Sequence, residues 1–430
     1  MIKKILILSF VPMFLLAIDI KDVLKGVDEN LLIKSSSKKA KALEQMVGYY
    51  ESKNYPKVDI GISAIRLRKT PTATFAIPPL PPVSSAVGTK SNFTGEISFV
   101  YPIFTGYATN NLIKKAKYNA IKAKLETKNL KRELYLKTIK LYSDIYSLNQ
   151  AIKATKEAVK ALSVSLRKAD KMYDNALINL SEVYNIKAKK YNVIASLQTL
   201  KAQKKSLINS LLYISGIKVD KNVKLYPDTV AKRKKSIIKE ALKEREDIKI
   251  IKKELDISKS DIKLADSKFY PSIAVVAGIK KEGNSLRLNG NGYANADKSY
   301  IGINLKWNIF DGFGKNRASE AAKLKKEAIM LYLDDYERVV KTNIQNSFFM
   351  LKSLFDKLKA AKEQLKSERE YYKLTKGRFE NALSSADELS RSIAEMAKAK
   401  AQVEQYKAKI FFQKYKIMLQ AGLKYFKENI

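Results

Sequence analysis

From Tyr107 to Ser215 the chain contains neither glycine nor proline. Those two residues most readily break a helix, so only a turn built from ordinary residues can interrupt one here. The apolar spacing agrees. Leu141, Ile145, Leu148, Ile152, Val159, Leu162 and Leu166, with Thr155 as a polar lapse, advance in alternating steps of four and three. That is the heptad seam of a coiled coil. Leu351, Leu354, Leu358, Ala361 and Leu365 repeat it later. The spacing predicts very long, paired helices.

The repetition extends upstream. "SFVYPIFTGYATN" from Ser98 and "NLKWNIFDGFGKN" from Asn304 each end an alternating apolar segment in an Ile-Phe-x-Gly corner and then feed a long Lys-rich run. Phe104 aligns with Phe310, Gly106 with Gly312 and Asn110 with Asn316, at an offset of 310 − 104 = 206. At the same offset "DNAL" at 174–177 matches "ENAL" at 380–383, and Gly216 matches Gly422. Tyr55-Pro56 and Tyr270-Pro271 introduce a further strand in each copy, offset by 271 − 56 = 215. Strands are expected over about 58–67, 92–101, 273–279 and 300–307. Phe93, Gly95, Ile97, Phe99 and Tyr101 alternate with Thr94, Glu96 and Ser98. Ile301, Ile303, Leu305 and Trp307 alternate with Gly302, Asn304 and Lys306. This period of two, with aromatics at the ends, suits a membrane β-barrel strand with one face to lipid and one to a lumen. Four strands cannot close a barrel, and open edges are not viable in lipid. Several copies of the chain are therefore needed.

Lengths then become geometry. From Gly106 to Leu177 a helix spans roughly 106 Å at 1.5 Å per residue. The chain must turn over 175–179, because a new heptad run through Val183, Ile186, Val193 and Leu197 begins there. The equivalent turn falls at 381–385. A broken segment over 216–236, containing Pro227, follows the first return helix, and one helix is expected over 237–269. In the second copy the ascent from Ser384 ends near Gly422, and its upper piece would be an N-terminal helix over about 20–53. The organisation expected is a first repeat over 18–215, a linker over 216–236 and a second repeat over 237–430.

The first residues, "MIKKILILSFVPMFLLA", place Lys3 and Lys4 ahead of a short apolar core. This reads as a secretory signal peptide over 1–17, and no other apolar run is long enough for a transmembrane helix. The chain has no cysteine and no histidine, which removes disulfides, thiolate sites and the commonest general base and metal ligand. No phosphate-cradling loop is present, and acidic pairs such as Asp334 with Asp335 fall in helical surface patterns. No enzyme, cofactor or metal centre is expected. The net charge of +39, from 82 Lys and Arg against 43 Asp and Glu, raises nucleic acid as a partner. The lysines are dispersed along the helices rather than gathered in a patch, so a solvated surface explains them better and no nucleic-acid partner is expected.

On its doubled corners, Tyr-Pro strand starts and hairpin turns, essentially the whole mature chain resembles the TolC outer-membrane efflux protein family. The resemblance implies a mainly α fold with a small β part. Long coiled-coil hairpins would form an α-barrel in the periplasm. Four membrane strands per protomer would join in the twelve-stranded β-barrel of a homotrimer in outer-membrane lipid. It implies a passive channel-tunnel of a tripartite efflux or type I secretion system, exporting small molecules or proteins with a membrane-fusion adaptor and an inner-membrane pump. In that family the hairpin turns follow an aromatic-x-x-Gly-Leu/Thr pattern with an acidic residue six positions after the glycine. The matching positions here are Tyr173, Ala176, Leu177 and Glu182, and Phe379, Ala382, Leu383 and Glu388. The resemblance makes Asn175, Ala176, Leu177, Asn381, Ala382 and Leu383 the adaptor-docking tips. Asp387, Glu388, Arg391 and Glu182 become candidates for a periplasmic constriction. Alanine replaces both glycines, and it suits a short helical turn. Arg391, at i+3 from Glu388, is expected to neutralise part of the charge of Asp387 and Glu388. The alternative for Asp387 and Glu388 is that they merely complement a helix N-terminus. Two other readings of the chain stay open: a periplasmic coiled-coil protein without a pore, and a basic polymer-binding protein.

Overall fold

The structure, a computed structural model, describes residues 19–219, 223–225, 233–290 and 297–430. The expected signal peptide, Pro227 and part of the loop before the fourth expected strand lie outside them. The described chain is mainly helical with a small sheet part, and it divides into two compact units.

One unit comprises Lys38–Lys124 and Ile250–Leu333. Its four-stranded sheet is built from β1 (Lys57–Arg66), β4 (Ser91–Phe104), β5 (Ser272–Gly283) and β6 (Tyr300–Lys306), antiparallel throughout in the order β1-β4-β5-β6. The register fixes which residues share a face, because directly opposed residues in an antiparallel pair point the same way. Ile60 opposes Ile97, Ile97 opposes Ile279, Ala277 opposes Ile301 and Val275 opposes Ile303. On the other face Asp59 opposes Ser98, Glu96 opposes Lys280 and Ala274 opposes Asn304. The apolar and polar alternation thus stays in phase across all four strands. Ile60, Ile62, Ile301 and Ile303 are exposed, so the apolar face is uncovered on both outer strands. Neither β1 nor β6 has a second strand neighbour among the described residues.

Between β1 and β4, β2 (Thr72–Phe75) and β3 (Val83–Ala86) form a separate two-stranded hairpin. The stretch holds Pro71, Pro78, Pro79, Pro81 and Pro82. All five lie outside the two short strands, where they remove no ladder donor. Trp307, expected in the fourth strand, lies just past β6 and donates its indole N–H to the Phe269 carbonyl at 3.0 Å.

The other unit comprises Met1–Ser37, Leu125–Lys249 and Asp334–Ile430. It holds the greater part of the long helices α3 (Ala108–Asp174) and α7 (Gly314–Glu380), which are 67 residues each. Each is followed by a return helix, α4 (Leu180–Ser215) or α8 (Ala386–Gln420). Of the expected first seam, Ile145 and Leu162 are buried, whereas Leu141, Leu148, Ile152 and Leu166 are half-buried. Ala154, Ala158 and Ala169 are buried instead, since small side chains let helices approach closely. Above them Tyr142, Phe411, Tyr415, Phe426 and Tyr135 form a run of ring contacts with centroids 4.6 to 6.1 Å apart. It binds α3 and α8 to the C-terminal helix α9 (Leu423–Asn429). Burial pushes the Tyr415 hydroxyl up to about 12.

Two helices expected in one piece are each broken. The region expected as one helix over 20–53 is α1 (Ile20–Asp28) and α2 (Leu31–Glu51). Asn30 makes the break: its amide donates to the Ile214 carbonyl at 2.7 Å and its side-chain oxygen caps Leu32 N–H at 2.9 Å. Gly26 lets α1 cross the end of α4, since a Cβ there would lie 2.3 Å from the Ser215 carbonyl oxygen. The region expected over 237–269 is α5 (Lys234–Glu244) and α6 (Glu246–Asp266), so α5 begins inside the expected linker. Arg245 between them is extended.

A buried ion cluster explains that second break. Arg132 on α3 reaches Asp247 at 2.8 Å and Glu246 at 3.2 Å. Arg245 binds Asp247 at 2.8 Å, and the Tyr336 hydroxyl of α7 donates to Asp247 at 3.0 Å. Glu246 also accepts Leu423 N–H at 2.9 Å, at the start of α9. Starting a new helix at Glu246 places two acids in its first turn, where the helix dipole favours them. Among the described residues no helix is long and apolar enough to cross a membrane.

Candidate functional site

The candidate site is the pair of hairpin tips. Each long helix stops in the same way. Leu177 N–H donates to the Met172 carbonyl and Ala176 N–H to the Tyr173 carbonyl, both at 2.8 Å. In the second copy Leu383 donates to Arg378 at 2.8 Å and Ala382 to Phe379 at 3.1 Å. These are the paired bonds of a Schellman stop. Asn175 and Asn381 each close it by donating the side-chain amide to the carbonyl four residues back, at 2.8 Å.

The second residue after each helix takes a left-handed backbone, φ 57° at Ala176 and φ 58° at Ala382. The expectation that alanine suits a short helical turn is therefore corrected: alanine sits in the conformation glycine favours. For a residue with a Cβ that conformation costs about 1–2 kcal/mol, partly offset because glycine loses more freedom on folding. Ala176→Gly and Ala382→Gly are each expected to stabilise the tip by about 0.5–1 kcal/mol. Denaturant titration of each variant checks this, with a raised midpoint as the expected result.

Beyond the stop, Ser385 caps α8, its hydroxyl accepting Glu388 N–H at 3.2 Å. Asn179 at the equivalent position makes no side-chain cap. Glu182, in the first turn of α4, instead accepts the Ala386 N–H of α8 at 2.7 Å. It thus caps the first turn of the other hairpin, satisfying a donor that no helix satisfies for itself. Asp387 is bound by Arg391 at 2.7 Å and by Lys189 of α4 at 3.5 Å. The Arg391 hydrogen bond, with help from Lys189, holds the Asp387 carboxyl below its ordinary range. Glu388 accepts from the Tyr371 hydroxyl at 3.3 Å and lies 4.0 Å from Arg378. Of the two carboxylates whose charge Arg391 is expected to offset, the helix gives it to Asp387 at i+4. Asp387 and Glu388 do occupy a helix N-terminus, the alternative left open by the sequence.

Beneath these polar links lies a shared apolar core of Leu162, Met172, Ile186, Phe379, Ala386 and Leu389. It draws on α3, α4, α7 and α8, so the two hairpins end as one packed body. Leu177 and Leu383 project from it, 60% and 68% exposed.

The strand-to-helix corners are also alike. Gly106 and Gly312 take φ 61° and 68°, and Tyr107 and Phe313 after them take φ 67° and 68°. The glycines are visible in the sequence; the second left-handed residue is not, because nothing marks a bulky aromatic for that backbone. The ion cluster around Arg132 was missed for a similar reason, since "KEREDI" looks like one more exposed helical charge pattern. Among the described residues no group of His, Cys, Asp and Glu could hold a metal ion.

Residues 237–411 match the model of the outer membrane efflux protein family. No sequence among curated proteins matches the chain. The fold resembles that of the outer membrane protein VceC from Vibrio cholerae, 14% identical, with a TM-score of 0.76 over 94% of this chain and 96% of that one. It resembles the Campylobacter jejuni CmeC outer membrane channel, 15% identical, with a TM-score of 0.77 over 94% and 85%. A membrane protein from Pseudomonas aeruginosa is 12% identical, with a TM-score of 0.80 over 94% and 91%. The shared fold therefore extends over nearly the whole of this chain.

Proposed function

For a chain whose residues 237–411 match the model of the outer membrane efflux protein family, we propose the role of passive export duct. Three copies, each giving four strands, close a twelve-stranded barrel in the outer membrane, its apolar face to lipid and its polar face to the lumen. The helices form a tunnel in the periplasm. Leu177, Leu383 and their neighbours Asn175, Ala176, Asn381 and Ala382 dock a membrane-fusion adaptor, which links the duct to an inner-membrane pump for efflux or type I secretion. In this reading the repeats over 18–215 and 237–430, joined by the linker over 216–236, are the two structural halves of each protomer.

The observation that carries the proposal is the sheet. It has one apolar face, one polar face and two open edges, an arrangement that lipid tolerates only in a closed barrel. A pore-free coiled coil or a polymer-binding protein has no use for it. Cell fractionation and planar-bilayer recording test the proposal: an outer-membrane trimer that conducts is expected, and a soluble monomer overturns it.

The constriction lies near Asp387, Glu388 and Arg391, with Glu182 holding the hairpins together. Because Arg391 neutralises Asp387, Arg391→Ala is expected to raise cation selectivity, and Asp387→Ala with Glu388→Ala to lower it. Single-channel reversal potentials in a salt gradient measure both. Unchanged selectivity in both variants places the constriction elsewhere.

A further inference from the structure

The two corners share a backbone but not their surroundings. A Cβ at Gly106 would lie 2.6 Å from the Ser267 carbonyl oxygen and 3.1 Å from Tyr270. Tyr107 meets the Tyr270 ring edge-on at 5.6 Å and Phe104 at 5.2 Å. The first corner is thus seated on Ser267, Tyr270 and Pro271, at the entry to β5. At the second corner Phe310 and Phe313 repeat the edge-on pair at 5.5 Å. Yet among the described residues nothing lies within 4 Å of a Cβ built at Gly312, and Phe313 is 66% exposed.

The seat itself is duplicated. The 215-residue offset carries Ser267, Tyr270 and Pro271 onto Ser52, Tyr55 and Pro56, at the entry to β1. Tyr270 N–H donates to Ser267 at 3.2 Å and Tyr55 N–H to Ser52 at 3.0 Å. Their backbones coincide, with φ −100°, ψ 154° at Tyr270 and φ −97°, ψ 159° at Tyr55. Tyr55 carries no corner and is 69% exposed. A corner without a seat and a seat without a corner therefore lie at opposite edges of one sheet, separated by β4 and β5. A single chain cannot bring them together.

We propose that Gly312 and Phe313 of one copy dock on Ser52, Tyr55 and Pro56 of the partner subunit, and that this contact sets the register between β6 and the partner's β1. The inference rests on the trimeric reading above and adds the residue pairing. The pair Ser98 with Gly278 becomes Asn304 (98 + 206) with Ser63 of the partner subunit (278 − 215). Phe99 with Ala277 becomes Leu305 with Ile62 of the partner subunit. Ile97 with Ile279 becomes Ile303 with Ala64 of the partner subunit. Each derived pair matches apolar to apolar or polar to polar, although the arithmetic does not require it. A slip of one residue would set either Ile303 or Leu305, depending on its direction, against Ser63 of the partner subunit and reverse the faces.

The absence of native cysteine makes the test direct. Asn304→Cys is combined in one chain with Ser63→Cys, or with Gly61→Cys or Ile65→Cys as two-residue slips, and membranes are oxidised. The pair at 304 and 63 is expected to cross-link copies at least five-fold more efficiently than either slip. A slip pair winning overturns the register while the barrel stands. A trimer that cross-links through none of the three overturns the edge pairing, and a chain that stays monomeric overturns the trimeric reading itself. Gly312→Asn probes the seat, because asparagine tolerates a left-handed backbone but adds a Cβ. Folded protein with at least ten-fold less trimer is expected, and assembly equal to the parent overturns the docking.

Discussion

Replacing Arg132 by methionine is expected to destabilise the fold by about 3–5 kcal/mol, because it leaves Glu246 buried without its counter-charge and Asp247 with Arg245 alone. The side chains of Arg132, Glu246 and Asp247 are only 10%, 6% and 15% exposed. Bringing these charges out of water is costly, and their mutual geometry offsets that cost only while every partner is present. The cluster also ties together α3, the start of α6, Tyr336 of α7 and the N–H that opens α9, so its loss spreads. Chemical denaturation of Arg132→Met, Asp247→Asn and the double variant measures the effect. A double variant much less destabilised than the sum of the singles is expected, because the partners act as one network. Acid provides a second readout. Burial alone would raise the Asp247 carboxyl, but Arg132 and Arg245 outweigh it and hold it below its ordinary range. Its stabilising share is therefore present above the unfolded value of about 3.9 and is lost as pH falls through the lower folded value. In Arg132→Met the folded value rises, so that share is expected to be smaller and to be exhausted at higher pH.

Ile303→Arg is expected to cost about 2–4 kcal/mol in the assembled membrane form, the range for a cation near the midplane of a barrel's lipid face. Asn304→Arg, one residue along the same strand, is expected to be tolerated. The contrast follows from register rather than from either residue alone: Ile303 opposes Val275 on the apolar face and Asn304 opposes Ala274 on the polar one. The yield of folded trimer extracted from outer membranes compares the two. Equal sensitivity at both positions would remove the basis for assigning one face to lipid.

How much of this was legible beforehand depends on the physics that fixes each feature. Strands and long helices rest on periodicities of two and seven, which side-chain direction imposes and a sequence displays. The corners announced themselves through Gly106 and Gly312. The breaks at Asn30 and Arg245 did not, because each is decided by a distant partner: the Ile214 carbonyl for Asn30, and Arg132 for the acids after Arg245. The β2–β3 hairpin was hidden by prolines that flank its strands without entering them. At the tips the motif marked the right residues but not their chemistry. Ala176 and Ala382 keep a glycine-like backbone because the stop is enforced by hydrogen bonds before and after them. Glu182 turned to the neighbouring hairpin because Asn179 does not cap its own helix while Ala386 offers a free N–H.

The equal lengths of α3 and α7, 67 residues each, make this protein a pair of rulers cut to one measure. Shortening α3 alone by seven residues would keep its heptad phase yet withdraw its tip by about 10 Å. Glu182 would leave Ala386, and Met172 would leave Phe379. An insertion or deletion can therefore survive only when α4, α7 and α8 change by the same heptad at the matching place. A redesign that lengthens or shortens these hairpins therefore has to change all four helices in the same units.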